Sequence, residues 1–248
     1  ALGLMRLGRI LYELGDVDAG VTALDEAVRA SDAGGDPRAS GAARLARAFL
    51  HGEAGELEAA FRLLNEAAQA FQRVGMPLHV IEMAAADLQR RHGNAADAEK
   101  RLRAVADAFK KAGAAVQWAE AWFGVGRCLL DLGKAAEGTA AVQETAEIRQ
   151  RSRDRFALVR TYEELARGLA AQGEAVAAFK ALHQARRMAE RLGMARRLGG
   201  VDAELDRLAP ALKAMADLDA ASVAAEAAAT IDALEAAWAA QPEAPAQG

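Results

Sequence analysis

Residues 162–185 read YEELARGLAAQGEAVAAFKALHQA, which places a helix-length segment on each side of one glycine, Gly173. Apolar residues recur at helical spacing on both sides, namely Tyr162, Leu165 and Leu169 before the glycine and Phe179, Leu182 and Ala185 after it. A glycine in that place is typical of a helix C-terminus, because glycine adopts the left-handed backbone conformation without a Cβ clash. The stretch therefore predicts a helix, a tight turn and a second helix.

Glycines recur along the chain at a nearly fixed period. Gly15, Gly55, Gly93, Gly133 and Gly173 are 40, 38, 40 and 40 residues apart. A second series is interleaved with the first, with Asp154 near the one place that it skips: Gly35, Gly75, Gly113 and Gly193. Two series predict two turns per repeat, and no alternating run of β-branched residues predicts a strand. The sequence therefore predicts an all-α fold.

The turns divide the chain into repeats and a different C-terminal region. We place five helix hairpins in an array over residues 1–194, at about 1–33, 36–74, 76–112, 114–153 and 155–193. In residues 195–240, Gly199-Gly200 and Pro210 are expected to interrupt the pattern before one long, Ala-rich amphipathic helix. This region is expected to cap the last hairpin or to connect it to a neighbouring domain. Residues 241–248, with two prolines, are expected to form a disordered tail.

The repeats resemble those of the tetratricopeptide family. That family has an aromatic residue and a Leu-Gly or Leu-Ala pair in the first helix, a glycine at the hairpin turn, and small or apolar residues in the second helix. The matching residues are Leu7-Gly8, Gly15, Gly20, Leu24 and Ala27 in the first unit, Trp122, Gly126, Gly133 and Gly138 in the fourth, and Tyr162, Leu165-Ala166, Gly173, Ala178, Leu182 and Ala185 in the fifth. The resemblance implies a right-handed superhelical solenoid of about five helix-turn-helix repeats plus a C-terminal helix. The family's closing proline is absent and the period exceeds its usual length of about 34, which resembles the longer repeats of bacterial signalling proteins and transcriptional regulators.

Composition and charge narrow the class of function. The net charge of −4 does not favour nucleic-acid or membrane binding by the chain as a whole. Residues 199–248 hold nine acidic and two basic side chains, so this region carries −7 and the rest +3. Cys128 is the one cysteine, and no apolar run reaches the roughly 18 residues of a membrane helix, so we expect a cytoplasmic protein. The start at Ala1, already inside a helix pattern, suggests a fragment of a longer protein.

The resemblance also implies a partner-binding groove, because stacked hairpins curve and present their first helices on the concave side. The groove positions that it implies are Met5, Leu45, Met83, Phe123 and Glu163, and, four residues later in each repeat, Arg9, Phe49, Asp87, Arg127 and Arg167. Apolar positions flanked by arginine suit an acidic or amphipathic segment of a protein or peptide. In the alternative interpretation, Met5, Leu45 and Met83 pack against neighbouring helices. None of the second set is Asn, so the family's Lys and Asn clamp for a C-terminal carboxylate is not expected.

Basic residues lie near the junctions between hairpins and would gather on one edge of the stack. They are Lys110, Lys111, Arg149, Arg151, Arg153, Arg155, Arg186, Arg187, Arg191, Arg196 and Arg197. An acidic partner could dock on such an edge. Cations near helix C-termini also complement the helix dipole and solvate the surface, and that interpretation is favoured here. Nucleic acid is not favoured, since no aromatic residues interleave with these arginines.

No catalytic, cofactor or metal site is expected from the sequence. The four histidines lack metal-ligand spacing, and Cys128 within an apolar helix is interpreted as a small buried residue. Gly124-Val125-Gly126 lies in a helix, without the preceding strand of a phosphate-binding loop.

Three hypotheses about function follow. The first is a non-catalytic protein- or peptide-binding module, the sensor or scaffold region of a larger bacterial signalling or regulatory protein. The second is a domain gated by a small molecule or peptide that controls an attached transcription-factor or cyclase domain. The third is an enzyme on a helical scaffold, for which only His51, His183 and Cys128 are available.

Overall fold

The computed structural model describes residues 1–215 and 218–240. Within these ranges it contains twelve helices and no strand, which confirms the all-α prediction. The helices are α1 Leu2–Glu13, α2 Val17–Ala33, α3 Pro37–Glu53, α4 Leu57–Gln72, α5 His79–Arg91, α6 Ala95–Lys111, α7 Ala115–Asp131, α8 Ala135–Arg151, α9 Arg155–Ala171, α10 Ala175–Leu192, α11 Ala195–Lys213 and α12 Ala220–Ala240.

Each turn from α1 to α11 contains a residue with positive φ. All nine glycines of the two predicted series have φ between 64° and 96°. At the α9–α10 turn, the N–H of Gly173 donates to the carbonyl of Ala170, and the N–H of Glu174 donates to the carbonyl of Leu169, both at 3.0 Å. These bonds satisfy carbonyl groups that a helix end otherwise leaves without partners.

At the turn between α8 and α9, where the second glycine series has no glycine, the residue with positive φ is an arginine. Arg153 has φ 56° and is the only non-glycine residue with positive φ in the described ranges. The sequence pattern pointed to Asp154, but that residue is the N-cap of α9, where its Oδ1 accepts a hydrogen bond from the N–H of Ala157 at 3.0 Å. A side chain in the left-handed region is strained, so this turn is less favourable than the glycine turns.

The chain divides into two compact units. The first, Ala1–Lys134, contains α1 to α7, and the second begins at Ala135 and contains α8 to α12. In the first unit each helix packs against the next one along the chain. In addition, the first helices of successive hairpins, α1, α3, α5 and α7, contact one another in that order.

Two glycines allow the first hairpin to close tightly. A Cβ atom added at Gly8 would lie 2.8 Å from the carbonyl oxygen of Gly20, and one added at Gly20 would lie 2.8 Å from the carbonyl oxygen of Gly8. The backbones of α1 and α2 therefore approach each other where both lack a side chain. Leu24 and Ala27, which are fully buried, pack beside this crossing.

The outer face of α1 is also apolar. Leu7, Ile10 and Leu14 are 47%, 45% and 42% exposed. One period later, Leu50 corresponds to Ile10 and is only 3% exposed, and it belongs to the same core cluster as Leu24 of α2. No helix of the described residues covers the corresponding face of α1.

In the second unit, α11 corrects the sequence interpretation. It is continuous through Gly199-Gly200 and Pro210, which were expected to interrupt it. Val201 and Leu212 are buried on its inner face, and this burial outweighs the helix-propensity cost of the glycines, about 1 kcal/mol each. Pro210 lies in the last turn, where its missing N–H removes only one backbone bond.

The expectation of one long C-terminal helix was also wrong. The apolar residues that suggested it are divided between two helices, with Leu212 in α11 and Ile231, Leu234 and Trp238 in α12. Both α11 and α12 pack against α10. Residues 241–248, expected to be disordered, lie outside the described residues.

Replacement of Gly173 by Ala should lower the free energy of unfolding by about 1–2 kcal/mol. The new Cβ would have open space around it, so the cost arises from the backbone conformation at φ 80° alone. Urea unfolding followed by circular dichroism measures this change.

Gly199→Ala is the matched control, because it also adds a Cβ in open space in the second unit, but inside α11. Since alanine is the better helix former, the free energy of unfolding should rise by up to about 1 kcal/mol. A loss of stability of the same size in both variants would contradict the left-handed turn at Gly173.

Candidate interaction surface on the first helices

The predicted groove residues are divided between the two units. Eight lie in the first unit, on the contacting helices α1, α3, α5 and α7: Met5, Arg9, Leu45, Phe49, Met83, Asp87, Phe123 and Arg127. Glu163 and Arg167 lie on α9 in the second unit, where Glu163 pairs with Arg197 (3.3 Å) and Arg167 pairs with Glu164 (2.7 Å).

The apolar groove positions mainly contribute to packing. Met5 and Phe123 are buried, at 8% and 3% exposure. Phe49 packs against the same cluster as Met5, whereas Leu45 and Met83 pack against separate clusters of the first unit. Only Leu45, Phe49 and Met83 retain partial exposure, so they are the apolar side chains that a partner can reach.

Asp87 forms the centre of an ion-pair cluster. Its Oδ1 lies 2.8 Å from Nη1 of Arg127 and 3.1 Å from Nε of Arg90, and its Oδ2 lies 2.9 Å from Nε of Arg91. The guanidinium of Arg127 also lies over the ring of Phe123, 5.8 Å from its centroid. The structure thus brings together three predicted groove residues, Asp87, Phe123 and Arg127, through contacts within the protein.

The same cluster links three successive first helices. Arg91 of α5 pairs with Glu53 of α3, and Arg90 of α5 pairs with Asp131 of α7. Sequence reasoning missed these four residues. The signal that could have found them is their spacing, since the partners lie 38 and 41 residues apart, close to one repeat period.

The cluster determines the protonation of Asp87. Burial alone would raise the pKa of this carboxyl group, but the charges of Arg127, Arg91 and Arg90 outweigh it and hold the pKa well below its usual range. Asp87 is therefore a carboxylate throughout the neutral range, and each of its oxygens has a cationic partner.

An aromatic cluster lies between α5, α6 and α7. Trp118 and Trp122 are stacked with ring centroids 5.7 Å apart, and the guanidinium of Arg103 lies 5.2 Å from the centroid of the Trp122 ring. Met83 and Phe109 pack against the same small core. Trp122 was noted in the sequence only as the aromatic residue of the fourth repeat, and its neighbours show that it packs α7 against the preceding hairpin, α5–α6.

The predicted basic edge is mostly engaged within the second unit. Arg149 is buried, with Nη1 donating to the carbonyl of Ala157 at 3.2 Å, so its assignment to a surface edge was wrong. Three other arginines of the predicted edge form ion pairs with carboxylates of α12: Arg155 with Glu235, and Arg187 and Arg191 with Asp232. Lys110 and Lys111, at the end of α6 in the first unit, are exposed.

The three residues considered for catalysis, Cys128, His51 and His183, make contacts within the fold. Cys128 is fully buried, and burial raises the pKa of its thiol to about 12. His51 contacts Glu56, and His183 lies edge-on to Phe179 with ring centroids 4.4 Å apart. Among the described residues, no group of three or more His, Cys, Asp or Glu side chains could hold a metal ion. No helix within these ranges has the length and apolarity needed to cross a membrane.

Comparison with known proteins identifies the fold. No protein-family model matches the chain, and no curated protein matches its sequence. The crystal structure of BtubC (BKLC) from P. vanneervenii aligns with a TM-score of 0.59 and 18% identity, over 92% of this chain and 94% of that chain. A Pyrococcus horikoshii signal transduction ATPase with numerous domains and a tetratricopeptide repeat sensor aligns with a TM-score of 0.51 and 16% identity, over 94% of this chain and 38% of that chain. The chain therefore has a tetratricopeptide-like repeat fold.

Asp87→Asn should lower the free energy of unfolding at pH 7 by about 2 kcal/mol, because it leaves three arginines without their shared carboxylate. The folded-state pKa of Asp87 lies well below the ordinary value of an aspartate, about 3.9. Its stabilising contribution is therefore complete above that value and is lost as the pH falls below it. Urea unfolding should show the difference between wild type and variant shrinking from pH 4 downward.

Asp107→Asn on α6 is the control, since this exposed carboxylate lies in the same unit. It should leave stability nearly unchanged at every pH. An Asp87→Asn variant as stable as wild type at pH 7 would show that the cluster does not support the fold.

Proposed function

We propose that this chain is a non-catalytic module that binds a protein or peptide along the first helices of its repeats. In this proposal it is the sensor or scaffold region of a larger bacterial signalling or regulatory protein. The observation that carries the proposal is the contact of α1, α3, α5 and α7 in sequence order. These helices present one continuous side of the first unit, and such rows form the extended binding surfaces of helical repeat proteins.

The chemistry of this side supports an acidic or amphipathic partner. Leu45, Phe49 and Met83 are partly exposed, and Arg9 is exposed. Arginine forms paired hydrogen bonds with carboxylates, and methionine packs against varied apolar shapes. With a net charge of −4, the chain offers nucleic acid no general electrostatic attraction, so we expect a protein partner. A cytoplasmic location is part of the proposal, because a chain with one cysteine suits a reducing compartment.

The ion-pair cluster around Asp87 supports partner binding, because it holds α3, α5 and α7 in a fixed arrangement. Glu53, Arg91, Asp87 and Arg127 connect α3, α5 and α7 through charged hydrogen bonds. A surface held in one arrangement before binding loses less conformational entropy when the partner arrives.

The likeness to the Pyrococcus horikoshii protein supports a sensor role. That protein has a tetratricopeptide repeat sensor, and the matched region is 38% of its length. By analogy, this chain would detect a partner and transmit its presence to other parts of a larger protein.

Selection of a phage-displayed peptide library on the purified chain tests the proposal. Acidic amphipathic peptides should be enriched, and Arg9→Glu should weaken their binding at least tenfold by replacing attraction with repulsion. Arg29→Glu, an equal charge change at an exposed site on α2, should have little effect. Peptides that bind both variants as tightly as wild type would show that the first helices are not the binding side.

The alternative, a domain gated by a small molecule or short peptide that controls an attached transcription-factor or cyclase domain, uses the same residues. Thermal-shift screening with a library of metabolites separates the two. A ligand present at a hundred times its Kd stabilises the fold by about 2.7 kcal/mol. A small-molecule shift that Arg9→Glu abolishes would favour the gated domain over the protein-binding module.

A further inference from the structure

Helix α12 differs in charge from the helices that it covers. It contains Glu226, Asp232 and Glu235 and no Lys or Arg. The helices beneath it contribute four cations toward it: Arg155 from α9, and Lys180, Arg187 and Arg191 from α10. An acidic helix therefore lies on a basic face, all within the second unit.

The ion pairs between α12 and this face are well formed. Asp232 accepts two hydrogen bonds from Arg187, both at 2.9 Å, and a further one from Nη2 of Arg191 at 2.7 Å. Glu235 lies 2.8 Å from Nε of Arg155, and Glu226 lies 2.6 Å from Nζ of Lys180. The two-point contact between the Arg187 guanidinium and the Asp232 carboxylate fixes orientation as well as position.

Apolar contacts give α12 its position along the face. Ile231 and Trp238 enter the core of the second unit, where they join residues of α9 and α10 such as Leu158 and Met188. The Nε1 of Trp238 donates to the carbonyl of Gln150 at 3.0 Å, and the guanidinium of Arg155 lies 5.3 Å from the centroid of its ring. A Trp anchor surrounded by charged contacts is typical of binding sites between proteins.

The order of the contacts shows how α12 lies. Glu226 meets Lys180 and Asp232 meets Arg187 and Arg191, so α12 runs in the same direction as α10. In a hairpin such as α9–α10 the two consecutive helices pack against each other, whereas α12 packs mainly against α10 and not against α11, the helix before it. Its position is thus that of a helix docked on the array.

We propose that the face formed by Arg155, Lys180, Arg187 and Arg191 is a docking site for an acidic amphipathic helix of another protein, and that α12 occupies this site in cis. The partner helix would resemble α12 in its chemistry. It would carry carboxylates at the positions of Glu226, Asp232 and Glu235, and apolar side chains at those of Ile231 and Trp238. This site is distinct from the first-helix side of the first unit, so either site can exist without the other.

The contacts of α12 permit its displacement. Among its 21 residues, Ala227, Ile231 and Trp238 are buried, so the apolar attachment is narrow. The side chains of Arg187, Arg191 and Asp232 are each more than a third exposed, at 36%, 40% and 39%. Ion pairs with this exposure are weakened by solvent and salt, so a partner with better contacts can replace them.

Binding of a fluorescein-labelled synthetic peptide of residues 220–240 to the full chain tests the proposal by fluorescence anisotropy. The wild-type chain should bind it weakly, because its own α12 fills the site and is present at high effective concentration. Asp232→Arg in the full chain opposes Arg187 and Arg191 and should release α12, so the wild-type peptide should bind at least tenfold more tightly. Binding should weaken as salt is added.

Two further variants test the effect of charge alone and the place where the peptide binds. Asp206→Arg makes the same charge change at an exposed site on α11 and should bind the peptide as wild type does. Adding Arg187→Glu to Asp232→Arg removes a cation from the proposed face itself, so the peptide should bind less tightly than it binds Asp232→Arg alone.

The outcomes separate the possible occupants. If the Asp232→Arg variant loses its helical circular dichroism, the Glu226→Lys variant replaces it in the experiment. Its new lysine opposes Lys180 at the exposed end of the face, and peptide affinity should rise about threefold. No gain in peptide affinity in a folded release variant overturns the proposal. If the wild-type chain instead dimerises and excess peptide converts the dimer to monomer, the site is filled by α12 of a second copy and the assigned partner is wrong.

Discussion

Close approach between helix backbones is the constraint on which the rest of this structure depends. The core is built largely from small side chains, and Ala27, Ala43, Ala60 and Ala98 are completely buried. An alanine buries little apolar surface by itself, so such a core is stable only when neighbouring helices come near enough to exclude water. The crossing of Gly8 and Gly20 shows the limit of this approach, since a side chain on either residue would overlap the opposite backbone. The left-handed residues in the turns make this possible, because they reverse the chain within a few residues.

Charged pairs provide the register that small side chains specify poorly. Arg44 contacts Asp32 of the preceding hairpin and Glu66 of its own, and Asp87 contacts arginines of α5 and α7. Exposed pairs contribute little net free energy. Even so, a packing shifted by one helical turn would leave partly buried charges without partners, and that cost favours a single arrangement. Within the second unit, pairs of the same kind join α12 to α9 and α10 through Glu226, Asp232 and Glu235.

The sequence predicted local structure better than it predicted interactions. The period of Gly15, Gly55, Gly93, Gly133 and Gly173 was sufficient to predict the turns, because the requirement for positive φ is local. The continuity of α11 was not predicted, since burial of Val201 and Leu212 is a tertiary effect that outweighs the weak helix propensity of Gly199-Gly200. The groove residues were inferred from repeat positions alone. That reasoning locates helix faces but does not show which side chains bind each other, so the pairing of Asp87 with Arg127 emerged only from the structure. For Met5 the sequence left groove and packing open, and the structure shows it buried.

The uncovered face of α1 has a consequence for how such an array can be extended. Leu7, Ile10 and Leu14 occupy the place where later first helices receive the second helix of the hairpin before them. A designed hairpin fused ahead of α1 would pack on the exposed apolar surface that Leu7, Ile10 and Leu14 already form. Its last helix would need small residues at the crossing and a leucine row facing Ile10. A hairpin placed there therefore calls for no change in the described residues of α1, and it would cover apolar side chains that these residues leave exposed.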